Sequence, residues 1–410
     1  MTLRKLQSRY LGIANDDDDI AIPADAEVDP RLILPPRKVR MKEKVNATFV
    51  TLARNEELYG LLTSINHIED RFNRKFHYDW VFFNDVPFSE EFIQMTSAVV
   101  SGKAFYEVIP KEHWSFPEWI NPDEARASIE KMKNKNGRTE SYRHMCRFES
   151  GFFWQQPIMD KYDWYWRVEP NIEIYCDINY DVFKYMQDNN KVYGFTIAFH
   201  EFRNTIPTLW KSTQEFLDHH PEYIAEDNLQ AFVSDNNGKT YNTCHFWTNF
   251  EIASLDFWRS QAYREYFDFL DHKGGFFWER WGDAPIHSIA ASLFLQKDKI
   301  HFFEDIGYKH TAYRKCPLEL TYRASHHCAC DPERDWTYRS PCGKKYFKAM
   351  GIPLPQAALD LLERDKKAKE AKNKAEKEAK EKEASEKEAS EKAEKEAKEN
   401  AEKEAKEKAE

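Results

Sequence analysis

The chain is predicted to fold as an α/β protein built on an open sheet. Three observations carry that expectation. Apolar, β-branched or aromatic runs alternate with helix-patterned stretches. Polar residues stand where those runs stop. The aromatic load, 29 Phe, 20 Tyr and 12 Trp in 410 residues, is that of a deep core with aromatic-lined clefts. Open sheets of this kind bind ligands beyond the carboxyl ends of their strands, so the residues just after each run are where chemistry is sought.

Residues 1–44 read as an extended stem. They hold the acidic run Asp16–Asp19, several prolines and then basic residues from Arg37 to Lys44, with no sustained hydrophobic period. The first strand is expected at Ala47–Ala53, followed by a helix through Leu58, Leu61, Leu62 and Ile65. Further strands are expected at Asp79–Phe83, stopped by Asn84-Asp85, and at Ala104–Ile109, stopped by Pro110. A helix over Arg143–Trp154 leads into a buried strand, Trp164–Val168, ending at Glu169-Pro170. One more strand is read at Tyr193–Phe199, and a helix opens over Ser212–Leu217. Helices are then predicted at Asn249–Arg259, Gln261–Leu270 and Pro285–Phe294, with a turn at Gly274-Gly275. An apolar strand is expected within Phe302–His310. The globular part, 45–355, closes near Pro355, and 356–410 is a charged Lys-Glu-Ala tail. Fifteen Lys and fifteen Glu from Lys366 onward make that tail neutral and helix-favouring, without the apolar seam of a coiled coil.

The formal charge of −10 therefore belongs to residues 1–365, which argues against a nucleic-acid partner. No run reaches the roughly 18–20 apolar residues of a membrane span.

Four stretches carry candidate chemistry. Glu169, at the end of a buried strand, is a hard oxygen ligand placed where a divalent ion bridging a nucleotide diphosphate would sit; strand-end acids also serve as plain caps. His245, Asn249 and Glu251 are interleaved with Phe246, Trp247 and Phe250, the mixture that reads a sugar, although Glu251 in a helix's first turn would also suit the dipole. Asp283, just before Pro285, reads most simply as a helix N-cap. His310 could complete a metal site with Glu169, and a lone histidine is also an ordinary core or surface residue. Of the seven cysteines, Cys316, Cys328, Cys330 and Cys342 cluster late beside His326 and His327. The Cys-Ala-Cys spacing is wrong for structural zinc, so disulfides in an oxidising compartment are expected, with an odd thiol left over. The sequon Asn46-Ala-Thr48 is compatible with a secretory route.

Several long motifs occur in order. They are Tyr78-Asp-Trp-Val-Phe-Phe-Asn-Asp-Val-Pro-Phe-Ser-Glu-Glu-Phe92, His113-Trp-Ser-Phe-Pro-Glu-Trp119 and Ser141-Tyr-Arg-His-Met-Cys-Arg-Phe148. Tyr165-Trp-Arg-Val-Glu-Pro170, Tyr193-Gly-Phe-Thr-Ile197, His245-Phe-Trp-Thr-Asn-Phe-Glu-Ile252 and Glu279-Arg-Trp-Gly-Asp-Ala-Pro-Ile-His-Ser288 follow. Over about Val45–Pro355 the chain resembles the fungal Golgi α-1,2-mannosyltransferases, glycosyltransferase family 15. The resemblance implies a GT-A type α/β fold, with a mixed central sheet flanked by helices. It implies GDP-mannose as donor, Mn²⁺ as cofactor, a mannosylated O- or N-linked glycan as acceptor and retention at the anomeric carbon. By the same resemblance Glu169 and His310 ligate the metal, and Glu251 is the nucleophile or the stabiliser of an oxocarbenium-like transition state. Tyr142 and Asp283 match positions near the donor phosphates and the bound sugars; Asn249 is a substrate-binding candidate from its own sugar-reading stretch. Double displacement and front-side return both stay open.

Two departures stand out. The family's metal motif commonly has a second acid where this chain has Asn171. The family is also built as type II membrane proteins of the Golgi lumen, and this chain shows a stem-like start without an anchor. Alternatives from other classes are a non-catalytic member binding mannan or a partner enzyme through the tail, and a cytosolic sugar-nucleotide binder, which would need free thiols.

Overall fold

The computed structural model describes residues 44–132 and 139–407; the stem expected over 1–44 falls, but for its last residue, outside the described residues. The chain divides into two units, Met1–Leu354 and Pro355–Glu410.

The first unit is organised by a mixed sheet of seven strands, in the order β10-β6-β9-β4-β1-β2-β3. Strands β1 (Ala47–Leu52), β2 (Asp79–Asn84), β3 (Ala104–Val108) and β4 (Trp164–Val168) run parallel. They are the runs read from sequence: β1, β2 and β4, largely buried on both faces, show as near-continuous apolar segments, while β3 is the half-buried edge strand. Strand β9 (Phe250–Ser254) is antiparallel to β4 and to β6 (Tyr193–Phe195), and β10 (Ile300–Phe302) closes the edge parallel to β6. A smaller antiparallel sheet joins β5 (Glu173–Ile174), β11 (Tyr308–His310) and β12 (Tyr313–Lys315). A two-stranded ribbon pairs β7 (Ala198–His200) with β8 (Cys244–Phe246).

The helices that place the site are α1 (Leu58–Ile68), α2 (Glu90–Val99), α3 (Glu140–Gly151), α4 (Leu209–His219), α5 (Gln261–Lys273) and α6 (Asp283–Phe294). Helix α3 crosses α5 closely: a Cβ at Gly151 would lie 1.9 Å from the Phe267 ring. A paired ion contact pins the same crossing, with Arg147 Nε and Nη2 donating to Asp271 at 2.7 and 2.8 Å. That crossing aims the buried face of α3 at the sheet.

Four expectations need correcting. The helix read over Asn249–Arg259 is strand β9 followed by a short helix, Leu255–Arg259. The strand read over Tyr193–Phe199 is two strands in different sheets, β6 and β7, broken at Thr196-Ile197. The apolar run Phe302–His310 likewise divides between β10 and β11. Asp283 does not cap α6; the cap position is Gly282, and Asp283 is the first helical residue.

Two disulfides, Cys176–Cys328 and Cys244–Cys342, fasten the late segment to the chain after β5 and to β8, and a third, Cys316–Cys330, closes a loop within it; Cys146 is a buried free thiol. In the second unit a single helix, Gln356–Glu407, carries exposed Lys and Glu with four-residue pairs such as Lys372–Glu376 at 3.8 Å. Such pairs are each worth a few tenths of a kcal/mol, ~0.3–0.5. Among the described residues no helix is long and apolar enough to cross a membrane.

Candidate active site

The site is built on one pair of neighbouring strands and one helix. Arg167 of β4 stands opposite Glu251 of β9 in the antiparallel register. Across from them, Asp283 and His287 are four residues apart on α6 and so share a face. The two pairs meet. Arg167 Nη1 donates to Asp283 Oδ2 at 2.6 Å, and His287 Nδ1 lies 3.0 Å from Glu251 Oε2. All four are buried, Glu251 and His287 completely.

Arg167 gathers three acids. Besides Asp283 it reaches Glu169 Oε1 at 2.7 Å through Nη2 and Glu149 Oε2 of α3 at 3.6 Å through Nη1. Burial alone would lower the pKa of this guanidinium; Glu149, then Asp283 and Glu169, outweigh it and raise it well above the ordinary value. Burial likewise pushes Asp283 upward, but Arg167, His287 and the Thr248 hydroxyl, which donates at 2.6 Å, hold it below its usual range. Glu149 goes the other way. Its pKa is pushed up to about 8, because its burial outweighs an Arg167 charge already shared with Asp283 and Glu169. At neutral pH the cluster thus keeps one of its acids largely protonated.

Beneath Arg167, Glu251 accepts hydrogen bonds from the Tyr165 hydroxyl and from His287. Burial would lower the His287 imidazole; Glu251, then Asp283, raise it overall. Its ring stacks on Trp258 at 4.2 Å, which fixes its orientation.

Glu169 emerges at the carboxyl end of β4 with a quarter of its side chain exposed. The smaller sheet delivers His310 to its vicinity, since the Tyr308 hydroxyl of β11 donates to the Asn249 carbonyl at 3.1 Å. Burial lowers the His310 pKa and nearby Glu169 partly offsets this, so the ring is held neutral, the form that ligates metal. Its Nδ1 is buried with no hydrogen-bond partner. One carboxylate oxygen and one orphaned imidazole nitrogen are donors that would suit an ion such as Mn²⁺. Asn171, two residues on, occupies a left-handed turn at φ 62°, its amide against Gly60 of α1. That position serves the turn here. His200, Cys244 and Cys342 also lie together, but both sulfurs are consumed in a disulfide.

Asn249 lies next to Thr248 and has a buried side-chain oxygen without a partner. Tyr142, near the start of α3, lies under Arg280, whose guanidinium is 5.7 Å from its ring and bonds Glu201 at 2.7 Å. Asp283 is near enough to act on the Tyr142 hydroxyl. The structure thus gathers Glu169, His310, Asp283, Asn249 and Glu251 around Arg167, with Tyr142 at one margin. Arg167, Glu149, His287 and Arg280 carry no role in the sequence reading. An arginine inside the apolar run Trp-Tyr-Trp-Arg-Val was the available signal, since a buried cation demands buried acids.

A family described as glycolipid 2-alpha-mannosyltransferase matches residues 7–351. The chain is 63% identical over 318 residues to glycolipid 2-alpha-mannosyltransferase 2 of Candida albicans, covering 77% of this chain and 69% of that one. It is 55% identical over 339 residues to the glycolipid 2-alpha-mannosyltransferase of Saccharomyces cerevisiae, covering 81% and 77%. Among solved structures it matches core-mannan synthase A of Aspergillus fumigatus in its Mn/GDP form, with TM-score 0.71, 41% identity and coverage of 77% and 88%. The mannosyltransferase Ktr4p of S. cerevisiae in complex with GDP matches with TM-score 0.70, 36% identity and coverage of 78% and 84%.

Proposed function

Because the chain belongs to the glycolipid 2-alpha-mannosyltransferase family, we propose that it transfers mannose from GDP-mannose to the 2-hydroxyl of a mannose in an O- or N-linked glycan, with Mn²⁺ as cofactor. Donor and product share the α configuration, so the anomeric centre is retained. The observation that carries the reading is the buried square of Arg167, Glu251, Asp283 and His287 at the carboxyl ends of the parallel strands.

Glu169 and His310 would hold the ion, which when bound neutralises the leaving diphosphate. Arg167 fixes the Glu169 carboxylate by a two-pronged contact, Nε at 2.9 Å and Nη2 at 2.7 Å, leaving the second carboxylate oxygen for the metal. Asp283, oriented by Arg167 and Thr248, and Asn249, with its unsatisfied oxygen, supply acceptors for sugar hydroxyls. Glu251 lies under the Arg167 layer and is fully buried. That placement supports stabilisation of the developing oxocarbenium charge across a low-dielectric layer over direct attack by the carboxylate. Tyr165 and His287 keep it oriented. The three disulfides support a lumenal, Golgi-type location, because such bonds persist in oxidising compartments; association with the membrane belongs to the same proposal.

The test is mannose transfer from GDP-mannose to methyl α-mannoside, with Mn²⁺ and then with chelator, for the wild type and Glu251→Gln. An α-1,2-linked disaccharide should form only with metal, and the variant should lose about 10²–10³-fold in kcat. A folded wild type that binds GDP-mannose yet transfers nothing to a panel of mannosides would leave a binding protein instead.

A further inference from the structure

A second recess lies apart from the Arg167 cluster. It is a groove of about 250 Å³ between the start of α4 and the segment before β8. Trp210 and Tyr241 form its floor, stacked with centroids 5.5 Å apart and planes 15° from parallel. Arg203, Lys211 and Lys239 stand around it, and no residue lining it is acidic. In a chain with 70 acidic and 60 basic residues, three cations around one recess without an acid is a local reversal of charge. Among the described residues none of the three makes an ion pair. Arg203 donates only to the Tyr241 carbonyl, at 3.3 Å, and Glu215, the acid that Lys211 influences, is itself bound by Lys273 at 2.7 Å. Gln214 and Thr243 add groups able to bond hydroxyls.

We propose that this groove binds a phosphate-bearing sugar. The cations take the phosphate, the aromatic floor and the amide and hydroxyl groups take the sugar ring, and the small volume excludes a polymer lying flat. The groove is coupled to the candidate active site through one turn. Thr205, two residues from Arg203, accepts from the Arg280 backbone at 2.8 Å and from its guanidinium at 3.1 Å, and Arg280 packs on Tyr142. A phosphorylated residue of an acceptor glycan held here would be tethered beside the reaction. That last step rests on the mannosyl-transfer reading; the binding does not.

Calorimetric titration of the full chain with mannose 6-phosphate, inorganic phosphate and mannose tests it. Mannose 6-phosphate should bind, more tightly than either other probe. Its affinity should fall about tenfold in Lys211→Glu/Lys239→Glu, whose positions are exposed and leave the fold intact, as thermal melting checks. Raised salt should weaken it as well. Mannose 6-phosphate bound no more tightly than mannose, or equally by wild type and variant, overturns the proposal whether or not the chain transfers mannose. Equal binding of inorganic phosphate and mannose 6-phosphate overturns the sugar part. A second measurement separates the source: transfer to a mannobioside and to its phosphorylated counterpart. A lower KM for the phosphorylated acceptor, lost in the variant, assigns the groove to the acceptor. Equal KM values assign it to a free sugar phosphate.

Discussion

Strands β4 and β9 have two faces, and both are buried. On one, Trp164, Trp166 and Val168 with Phe250 and Ile252 join a single apolar cluster that includes Phe49 and Trp80. Phe49 stacks on Trp80 at 4.5 Å and Trp166 meets Phe250 edge-on at 5.2 Å. On the other, one residue out of step, Tyr165, Arg167 and Glu251 carry hydroxyl and charge into equally dry surroundings. The first face is held by area and dispersion, and apolar swaps that nearly keep its volume cost little. The second is held by mutual satisfaction of groups, each of which is costly without its partner. Depth of burial does not separate a core from a reaction site; the parity of the strand does.

The largest effect is expected of Arg167→Met, which strands the Asp283 and Glu169 carboxylates without their counter-charge. Urea unfolding should show a loss of at least about 3–5 kcal/mol, with activity abolished. An unchanged midpoint would make the charged face equivalent to the apolar one. Next comes Glu149→Gln. The folded protein keeps this proton up to about pH 8 while the unfolded chain releases it near 4.5, so stability falls as pH rises across that window. In the variant that slope should flatten, read as unfolding midpoints at pH 5, 7 and 8.5. The smallest effect belongs to the apolar face. Ile252→Val, adjoining Glu251 in sequence but pointing the opposite way, should cost about 0.5–1.5 kcal/mol and leave kcat within twofold.

The four parallel strands were legible because their runs are five to six residues long, rich in β-branched and aromatic residues and stopped by polar residues or proline, which together favour a strand over a buried helix segment. Strand β9 was not. Phe250, Ala253 and Phe257 fall three and then four residues apart, and a real helix begins at Leu255, so a five-residue strand was absorbed into the helical period that follows it. That error also supplied the innocent reading of Glu251 as a first-turn acid; in the structure it is a strand residue of β9, paired with Arg167 of β4. Individual site residues could be named from motif resemblance. Their grouping could not, because Arg167 meets Glu149 eighteen residues back and Asp283 well over a hundred ahead. Tyr193–Phe199 failed for a related reason: a strand that leaves one sheet for another looks continuous in one dimension.

The disulfides impose a schedule on synthesis. Cys176 lies just beyond the strand that carries Glu169, yet its partner is 152 residues further on, and Cys244 waits 98 residues for Cys342. At translation speeds of roughly 5–20 residues per second, Cys176 exists as an unpaired thiol for roughly 8–30 s. The half of the sheet that ends at Glu169 therefore leaves the ribosome long before it can be covalently closed. Through that interval its cysteines are open to any oxidant or mispairing partner, and faithful maturation depends on how well the parallel strands β1–β4 keep Cys176 out of reach until the last segment arrives.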